Sequence, residues 1–373
     1  MEMEMVYVED CCEILDSMRV PITASDRIAG EYPYYGANGI QDHVSDYIFD
    51  DELVLLAEDG GNFGSKERPI AYRVSGKCWV NNHAHVLKPK VGLDVDYLCY
   101  SLMFYDVDGM VNGATRQKLT QAAMRKMKIP LRSLEEQVHM VDELNRVIKI
   151  KEQRQLELKL LDELIKARFV EMFGNPDINE NNWDTYKMEQ LCEVGSSKRI
   201  YQNEQSMTGI PFLRISDLVN RMDTGSKDSD LFIPEERFEE LKEQGLVPES
   251  GDILLTARGT LGRCYIIQDN DEFYFQDGMI TWLSKYDVKI TPLYISYLFE
   301  MPGFRKQIDS LQAGSTVAYL SISMTKKLDI MVPPLELQNE FSDFVHQVDK
   351  SKVIAYTIYM NYSNRRSCHG NKF

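Results

Sequence analysis

The chain has 373 residues, and its 58 aspartates and glutamates against 42 lysines and arginines give a formal net charge of −16 at pH 7. Hydrophobic residues make up 43% of the chain and charged residues 27%, which excludes a wholly disordered or collagen-like chain and predicts about two or three globular domains. The acidic balance argues against a protein whose whole surface is cationic for binding a polyanion.

Cysteine usage and hydropathy indicate the compartment. The seven cysteines are scattered and form no CxxC pair, which is typical of free thiols in a reducing compartment. The acidic amino terminus lacks the basic and apolar regions of a signal peptide. No apolar run approaches the roughly 18 residues that a membrane span needs. We therefore expect a cytoplasmic protein with no membrane partner.

An internal repeat organises the chain. The segment around Arg19 recurs around Arg199, 180 residues further on, and the block 113–137 recurs at 314–338, at an offset of 201. Matches that stay in order along the chain indicate a duplication. The larger offset predicts that the second copy carries a surface insertion of about 20 residues between positions 218 and 251.

Each copy begins with a part rich in glycine, aromatic and β-branched residues. Its short apolar runs lie between clusters of glycine, asparagine and aspartate, a pattern typical of short strands and turns. In the first copy this pattern predicts strands at 52–57 and 78–80 and helices at 97–104 and 119–128. In the second copy it predicts strands at 252–256 and 273–275 and a helix at 294–299.

A long helix is predicted after the first of these parts. Ser133 is its predicted N-cap, and Gly174 stops it after Phe173. Some 40 residues of helix span about 60 Å, and a narrow apolar stripe on so long a helix favours packing against a partner helix. The alternative is a linker helix that packs on its own domain. The stripe consists of Leu134, Val138, Val141, Ile148, Leu158, Leu161 and Ile165.

The second copy starts its long helix in the same way, at position 333. Phe341, Val345 and Val348 form its apolar stripe, and the heptad character ends near Lys350. We expect a helix cut to about half the length of the first, followed by an irregular tail. The resulting division is 1–132 and 175–332 for the two repeated domains, 133–174 and 333–352 for the helices, and 353–373 for the tail.

No catalytic motif is found in the sequence. It has no GxxxxGK[ST] loop, no strand followed by GxGxxG, no Asn/Asp-Pro-Pro-aromatic motif and no recognisable Ser/His/Asp spacing. His83 and His85 alternate along a predicted strand, but no third ligand stands at a useful spacing, so packing or hydrogen bonding is favoured over a metal. We expect no enzyme activity, no metal and no catalytic residue.

The matched loops of the two copies do carry groups suited to DNA. Duplex recognition needs cations for phosphates and amide or guanidinium groups for base edges. The alternative is that these are solvated surface or turn residues. The candidate DNA contacts are Tyr34, Tyr35, Asn38, Asn62, Lys66, Asn81, Asn82, His83, Thr115, Arg116 and Lys118 in the first copy, and Arg214, Ser216, Arg258, Thr260, Gln276 and Thr316 in the second.

Several blocks resemble one known family. EYPYYGANGI at 31–40, the block 53–64, CWVNNHAHVL at 78–87, the segment 129–137 and RFVEMFGNP at 168–176 are similar to the specificity (S) subunit of type I restriction–modification systems, the HsdS family. The resemblance covers about residues 7–352.

The resemblance implies an α+β fold with two mixed α/β target-recognition domains, each reading one half of a bipartite sequence in double-stranded DNA. Long helices would form an antiparallel coiled coil that sets the spacing and docks DNA methyltransferase (M) subunits, which restriction (R) subunits join. S-adenosylmethionine, ATP and Mg would be bound by the partner subunits only. We expect weak DNA binding by the isolated chain.

Two other functions stay open at this stage. One is a truncated or inactive variant that competes for methyltransferase subunits through its helix. The other is the recognition part of a single-chain methyltransferase–nuclease.

Overall fold

The computed structural model describes residues 4–113, 116–312 and 318–370. The chain divides into two compact units. One comprises the residues up to Leu156 together with those from Tyr356 on, and the other comprises Glu157–Ala355. No described helix is both long and apolar enough to cross a membrane.

The first unit combines strands with short helices and the beginning of a long helix. Its elements in chain order, with the long helix given in full, are β1 (Met5–Tyr7), α1 (Val8–Cys11), β2 (Cys12–Ile14), β3 (Ala29–Gly36), β4 (Gly39–Val44), β5 (Phe49–Ala57), β6 (Ala71–Val80), β7 (Ala84–Pro89), α2 (Val95–Met103), β8 (Val111–Asn112), β9 (Lys118–Leu119), α3 (Gln121–Arg125), β10 (Lys128–Pro130) and α4 (Leu134–Phe173).

The second unit repeats this order with additional helices, and its last helix is given in full although its residues from Tyr356 on belong to the first unit. Its elements are β11 (Asp184–Lys187), β12 (Glu193–Gly195), β13 (Ile210–Leu213), α5 (Ile215–Thr224), β14 (Phe232–Ile233), α6 (Glu235–Glu243), β15 (Ile253–Thr256), β16 (Cys264–Ile266), β17 (Tyr274–Phe275), β18 (Ile280–Ser284), α7 (Pro292–Glu300), α8 (Pro302–Leu311), α9 (Ile322–Lys326), β19 (Asp329–Val332) and α10 (Leu335–Gly370). Turns of 3₁₀-helix lie at Asp16–Met18, Ala24–Asp26, Met188–Gln190 and Gln202–Glu204.

The sheets of the two units correspond strand by strand. In the first unit one six-stranded sheet has the order β2-β7-β5-β6-β3-β4. In the second unit the same positions are divided between a sheet β12-β18-β15-β16 and a sheet β14-β13-β17. The difference arises because β6 is one long strand that reaches both β5 and β3, whereas its counterpart is interrupted between β16 and β17.

Matching long-range hydrogen bonds confirm the repeat. The hydroxyl of Tyr97 donates to the carbonyl of Pro130 at 2.9 Å, and the hydroxyl of Tyr294 donates to the carbonyl of Met331 at 2.9 Å. In each unit the first strand pairs antiparallel with the strand before the long helix, β1 with β10 and β11 with β19. In each unit the beginning and the end of the strand-rich part therefore lie side by side, just before the long helix starts.

A buried glutamine anchors each long helix to its unit. The side-chain amide of Gln137 donates to the carbonyls of Gly92 and Arg132, and its oxygen accepts from the amide of Asp94. Gln338 makes the equivalent bonds, to the carbonyls of Lys289 and Pro333 and from the amide of Thr291. Both glutamine side chains are fully buried.

Local signals account for the ends of α4. Ser133 and Glu136 form a reciprocal capping box, in which the amide of Glu136 donates to the serine hydroxyl and the amide of Ser133 donates to the glutamate carboxylate. Gly174 follows the last helical residue with a φ of 81°, a left-handed conformation that favours glycine. The predicted cap and stop of this helix are confirmed.

The second long helix does not end near Lys350. α10 is continuous from Leu335 to Gly370, so the expected truncation is wrong for the backbone. The segment contains no proline and no glycine before its last residue, and a β-branched or aromatic residue costs a helix less than about 1 kcal/mol. The helix therefore continues past the point where the heptad pattern ends.

The apolar stripes of the two long helices meet only in part. In the second unit Leu161, Ile165 and Phe169 of α4 pack in one core with Phe341, Val345 and Val348 of α10. The two segments run antiparallel, since Arg168 pairs with Glu340 and Asp162 pairs with Lys352. Val141 instead packs in the core of the first unit, as the linker-helix alternative predicts. Ile148 and Leu158 are half-buried, whereas Leu134 and Val138 are exposed and lie outside any seam.

Two other expectations need correction. The predicted helix 119–128 is only α3, because the chain leaves it to pair β10 with β1. The insertion in the second copy is not confined to the surface, because Phe238 and Leu241 of α6 are buried in a core cluster of their own with Phe212 and Tyr274.

Candidate nucleic-acid interface

Four loop segments of the first unit converge where central strands of its sheet end. After β5, the amide of Glu58 donates to the carbonyl of His83 at 2.9 Å, which joins the loop after β5 to the turn after β6. Asp59 forms an isolated antiparallel bridge with Lys118. The side-chain amide of Asn38, in the turn after β3, donates to the carbonyl of Gly60 at 3.0 Å. We call residues 37–38, 58–62, 81–83 and 116–118 the first loop surface.

The cations of the first loop surface are held by carboxylates. Asp59 accepts from Arg116 at 2.9 Å and lies 2.6 Å from Nδ1 of His83. Lys118 pairs with Glu58 at 2.9 Å. The side chains of Arg116 and Lys118 remain about half exposed, so part of their donor groups faces solvent. The arrangement fixes the direction of these cations without burying them.

A buried ion network lies directly beneath this surface. His85 is fully buried, and its ring nitrogens lie 2.7 Å from a carboxylate oxygen of Asp16 and 2.9 Å from the carbonyl of Leu119. Arg19 donates to Glu58 at 2.5 Å and to the carbonyl of Ala84 at 2.7 Å. The network thereby ties the Lys118–Leu119 segment to the sheet.

The network also lowers two pKa values. Burial alone raises the pKa of Asp16, but hydrogen bonds from His85 and Gln121 outweigh it and leave this pKa below its usual value. For Glu58, burial is likewise outweighed by hydrogen bonds from Arg19 and Lys118, so its pKa is also lowered.

The geometry argues against a metal at this cluster. Asp16, Glu58 and His85 offer ligand atoms within 4.8 Å of one another. However, the guanidinium of Arg19 contacts both carboxylates, at 3.5 and 2.5 Å, and already supplies their counter-charge. His83 and His85 have separate carboxylate partners, so they do not form a pair of ligands. Hydrogen bonding is the role that both histidines fulfil.

Several predicted contacts in the first unit have other surroundings. Tyr34 and Asn81 belong to the core: both are buried, Tyr34 bonds the backbone of Ile22, and Asn81 bonds Gln41. Their side chains are therefore not available at the surface, and we do not keep them among the proposed contacts. Tyr35 is half-buried beside Tyr72. Asn62 is half-buried, and its side-chain amide donates to the carbonyl of Pro69. Lys66 and Asn82 are exposed. Thr115 lies outside the described residues.

The second unit forms a corresponding surface on the same scaffold. Arg258 makes an isolated antiparallel bridge with Tyr319, the counterpart of the bridge between Asp59 and Lys118. The amide of Leu320 donates to the carbonyl of Ala257 at 3.0 Å, as the amide of Leu119 does to Glu58 at 2.7 Å. We call residues 214–216, 257–260, 276–278 and 319 the second loop surface.

The polar groups of the second loop surface differ from those of the first. Arg214 bonds Asp217 and is the N-cap residue of α5, close to the exposed Ser216. The carbonyl of Thr260 accepts from the hydroxyl of Thr256, and Thr260 itself is exposed. The remaining members are Gln276 and Thr316. Gln276 is half-buried, and its backbone N–H donates to the carbonyl of Leu213 at 2.9 Å, whereas Thr316 lies outside the described residues.

Sequence reasoning missed the two residues that complete the bridges, Asp59 and Tyr319. Asp59 reads as a turn residue, and Tyr319 is one of 20 tyrosines. A usable signal was present, since Lys118 and Tyr319 directly precede the matched leucines Leu119 and Leu320. These observations define the class of the protein: a duplicated α+β scaffold that carries a different set of polar side chains at the equivalent loops of each copy.

The comparisons with known proteins agree with this class. The family model for the type I restriction modification DNA specificity domain matches residues 1–160 and 180–357. A putative type I restriction enzyme specificity subunit of Haemophilus influenzae is 31% identical and covers 96% of this chain and 89% of the relative. A type I restriction enzyme specificity subunit of Methanocaldococcus jannaschii is 23% identical and covers 93% and 86%.

Solved structures show the same fold. The S subunit of a type I restriction–modification system from M. genitalium superposes with a TM-score of 0.60 at 13% identity, covering 100% of this chain and 96% of that chain. A chain from a structure on the assembly of the type I R-M system gives 0.57 at 14%, with 99% and 96% covered. The chain belongs to the family of type I restriction–modification DNA specificity domains.

Proposed function

We propose that this chain is the non-catalytic DNA-specificity subunit of a type I restriction–modification complex, and that each loop surface reads one half of a bipartite site in double-stranded DNA. One observation carries the proposal: an identical backbone bridge holds Asp59 and Lys118 in one unit and Arg258 and Tyr319 in the other. Base pairs differ in the major groove by their donors and acceptors. A constant scaffold with exchanged donors and acceptors suits a reader of two different half-sites.

Exposed and half-buried polar side chains in and beside the two loop surfaces are the proposed contacts. Their guanidinium, ammonium, amide and hydroxyl groups match both kinds of target, phosphates and base edges. We place the recognition domains at 1–132 and 175–332. The proposed contacts are Asn38, Asn62, Lys66, Asn82, His83, Arg116 and Lys118 in the first domain, and Arg214, Ser216, Arg258, Thr260 and Gln276 in the second.

The net charge of −16 is compatible with this function if the chain works within a complex. Phosphate contacts supply most of the sequence-independent affinity for DNA, and the cations of the loop surfaces are partly neutralised by carboxylates. Methyltransferase subunits would add cationic surface and bring S-adenosylmethionine, while restriction subunits would bring ATP and Mg. We place this complex in the cytoplasm.

We further propose that the outward face of α4 docks a methyltransferase subunit. Leu160 and Leu164 lie one turn apart on this helix, are about half exposed, and flank the buried seam that contains Ile165. Apolar side chains in such a row are typical of a protein interface. Leu164→Asp should abolish co-purification with the methyltransferase, whereas Met207→Asp, at a more exposed apolar residue outside the helices, should leave it intact. Retained co-purification of both variants would contradict this docking face.

The decisive experiment is a methylation map of a host that expresses the chain with its methyltransferase subunits. We expect a bipartite methylated motif that disappears when this chain is deleted. The competing interaction protein predicts co-purification with the methyltransferase but no motif, and its premise, a helix that ends near Lys350, does not hold. The single-chain enzyme is disfavoured because relatives named as specificity subunits are matched over 89% and 86% of their own length.

A further inference from the structure

The cations in and around the two loop surfaces differ in their partners. Most pair with a carboxylate of their own unit: Arg116 with Asp59, Lys118 with Glu58, Arg199 with Asp277, Arg214 with Asp217, and Arg263 with Asp223. Arg258 differs, since its guanidinium carbon lies 4.9 Å from the centroid of the Tyr319 ring. Within the described part of the chain, no carboxylate lies at ion-pair distance from it.

An arginine held in this way keeps its donors for a ligand. The aromatic ring contacts the guanidinium group and limits its motion, while no acid competes for its N–H groups. Arg258 is also exposed, so its N–H groups are accessible to solvent. A paired arginine such as Arg263 would first have to release its carboxylate.

The loop that carries Arg258 is fixed by a buried threonine. The hydroxyl of Thr256 donates to the carbonyl of Thr260 at 2.5 Å and accepts from the amide of Arg263 at 2.9 Å. Its backbone amide donates to the carbonyl of Arg263 at 2.9 Å, which closes the loop. Hydrogen bonds within the protein therefore hold the backbone of the loop that carries Arg258.

The tyrosine platform is fixed from the other side. Gln312, which follows α8, donates to the carbonyl of Tyr319 at 2.9 Å and accepts from its amide at 2.8 Å. The bridge between Arg258 and Tyr319 adds a third backbone restraint. A rigid platform lowers the conformational entropy that binding would otherwise cost.

We propose that Arg258 reads a guanine in the half-site bound by the second unit, and that Tyr319 positions it. A guanidinium group presents parallel donors that match the O6 and N7 acceptors of guanine in the major groove. This inference rests on the proposed function and deepens it by naming the base. In the first unit the same bridge carries Asp59 and Lys118, so this arginine–tyrosine pair belongs to one half-site only.

The test uses the complete complex with its methyltransferase subunits and methylation sequencing in a host without other methyltransferases. Arg258→Gln should lower the discrimination at one G·C pair of one half-site by about 10- to 100-fold, the usual loss for a bidentate contact. Tyr319→Leu should lower it less, at the same base pair, and Tyr319→Phe should leave it unchanged. Arg237→Gln on α6, whose guanidinium pairs with Glu240, is the matched control and should leave the motif intact.

The possible outcomes separate this inference from the proposed function. A wild-type complex without any bipartite motif overturns both. Two results with a bipartite motif present would overturn the guanine reading alone. In one, Arg258→Gln leaves the motif unchanged. In the other, it weakens methylation uniformly at all sequences, as loss of a phosphate contact would. Co-purification of each variant with the methyltransferase subunits confirms that it is folded. Loss at a single G·C pair in both Arg258→Gln and Tyr319→Leu supports the inference.

Discussion

Replacing Gln338 with alanine should weaken the attachment of the start of α10 to the second unit. The variant loses hydrogen bonds to the carbonyls of Lys289 and Pro333 and from the amide and hydroxyl of Thr291, at 2.9 to 3.2 Å. Each buried hydrogen bond contributes about 0.5–1.5 kcal/mol, and an unsatisfied buried group costs about 1–3 kcal/mol. Water can enter the small space that alanine leaves, so we expect a loss of about 3 kcal/mol, on the order of a hundredfold in the local opening equilibrium.

Hydrogen exchange is the suitable assay for this loss. A two-unit chain does not guarantee two-state unfolding, so a local readout is preferable to one midpoint. The amide of Thr291 should exchange about a hundredfold faster in Gln338→Ala, while the amide of Asp94, which Gln137 holds in the first unit, should keep its rate. Asn339→Ala, at the exposed neighbouring position, is the control. If Gln338→Ala exchanged no faster at Thr291 than Asn339→Ala does, the glutamine would not be an anchor.

Three further predictions follow from other contacts. Phe169→Ala should destabilise the second unit by about 3–5 kcal/mol because it opens a cavity in the aromatic core, whereas Val170→Ala on the exposed face should cost under about 1 kcal/mol; equal hydrogen-exchange protection of the second unit in both variants would refute this. The lowered pKa of Asp16 means that its stabilisation is complete above about pH 4 and is lost as the pH falls through the folded-state value. The protection factor of the Val86 amide, which donates to Asp16, should therefore fall in acid, and Asp16→Asn should flatten that dependence; identical pH profiles of the protection factor would contradict it. The isolated chain should bind duplex DNA weakly in fluorescence anisotropy, and tight binding that falls steeply between about 50 and 200 mM salt would refute the need for partner subunits.

The sequence predicts those parts of the fold that depend on local pattern. The capping box of α4 and the stop at Gly174 lie within a few residues, so they can be read directly. The repeat is also visible, because matched residues such as Gln137 and Gln338 stand at a fixed offset. The sequence does not reveal that these glutamines anchor the helices, because their hydrogen-bond partners lie up to 49 residues away.

The errors have physical causes of the same kind. Tyr34 follows a turn-rich block and reads as a loop aromatic, but β3 turns its side chain into the core, where it bonds Ile22. The heptad pattern near Lys350 reports a helix–helix seam and not helicity, so its loss did not mark the end of α10. The candidate site was predicted as a set of loops, whereas the pairing of Arg258 with Tyr319 requires contacts across some 60 residues of chain.

The two bridges have a consequence for how such proteins change. The contacts that close each bridge are made by backbone atoms, and the exchange from Asp59 and Lys118 to Arg258 and Tyr319 leaves that backbone pairing in place. Under the proposed function, a substitution at such a pair would change the groups offered to DNA while the backbone pairing stays in place. A new recognition sequence could then arise in a few steps at these positions, while selection for a stable protein acts on the core beneath them.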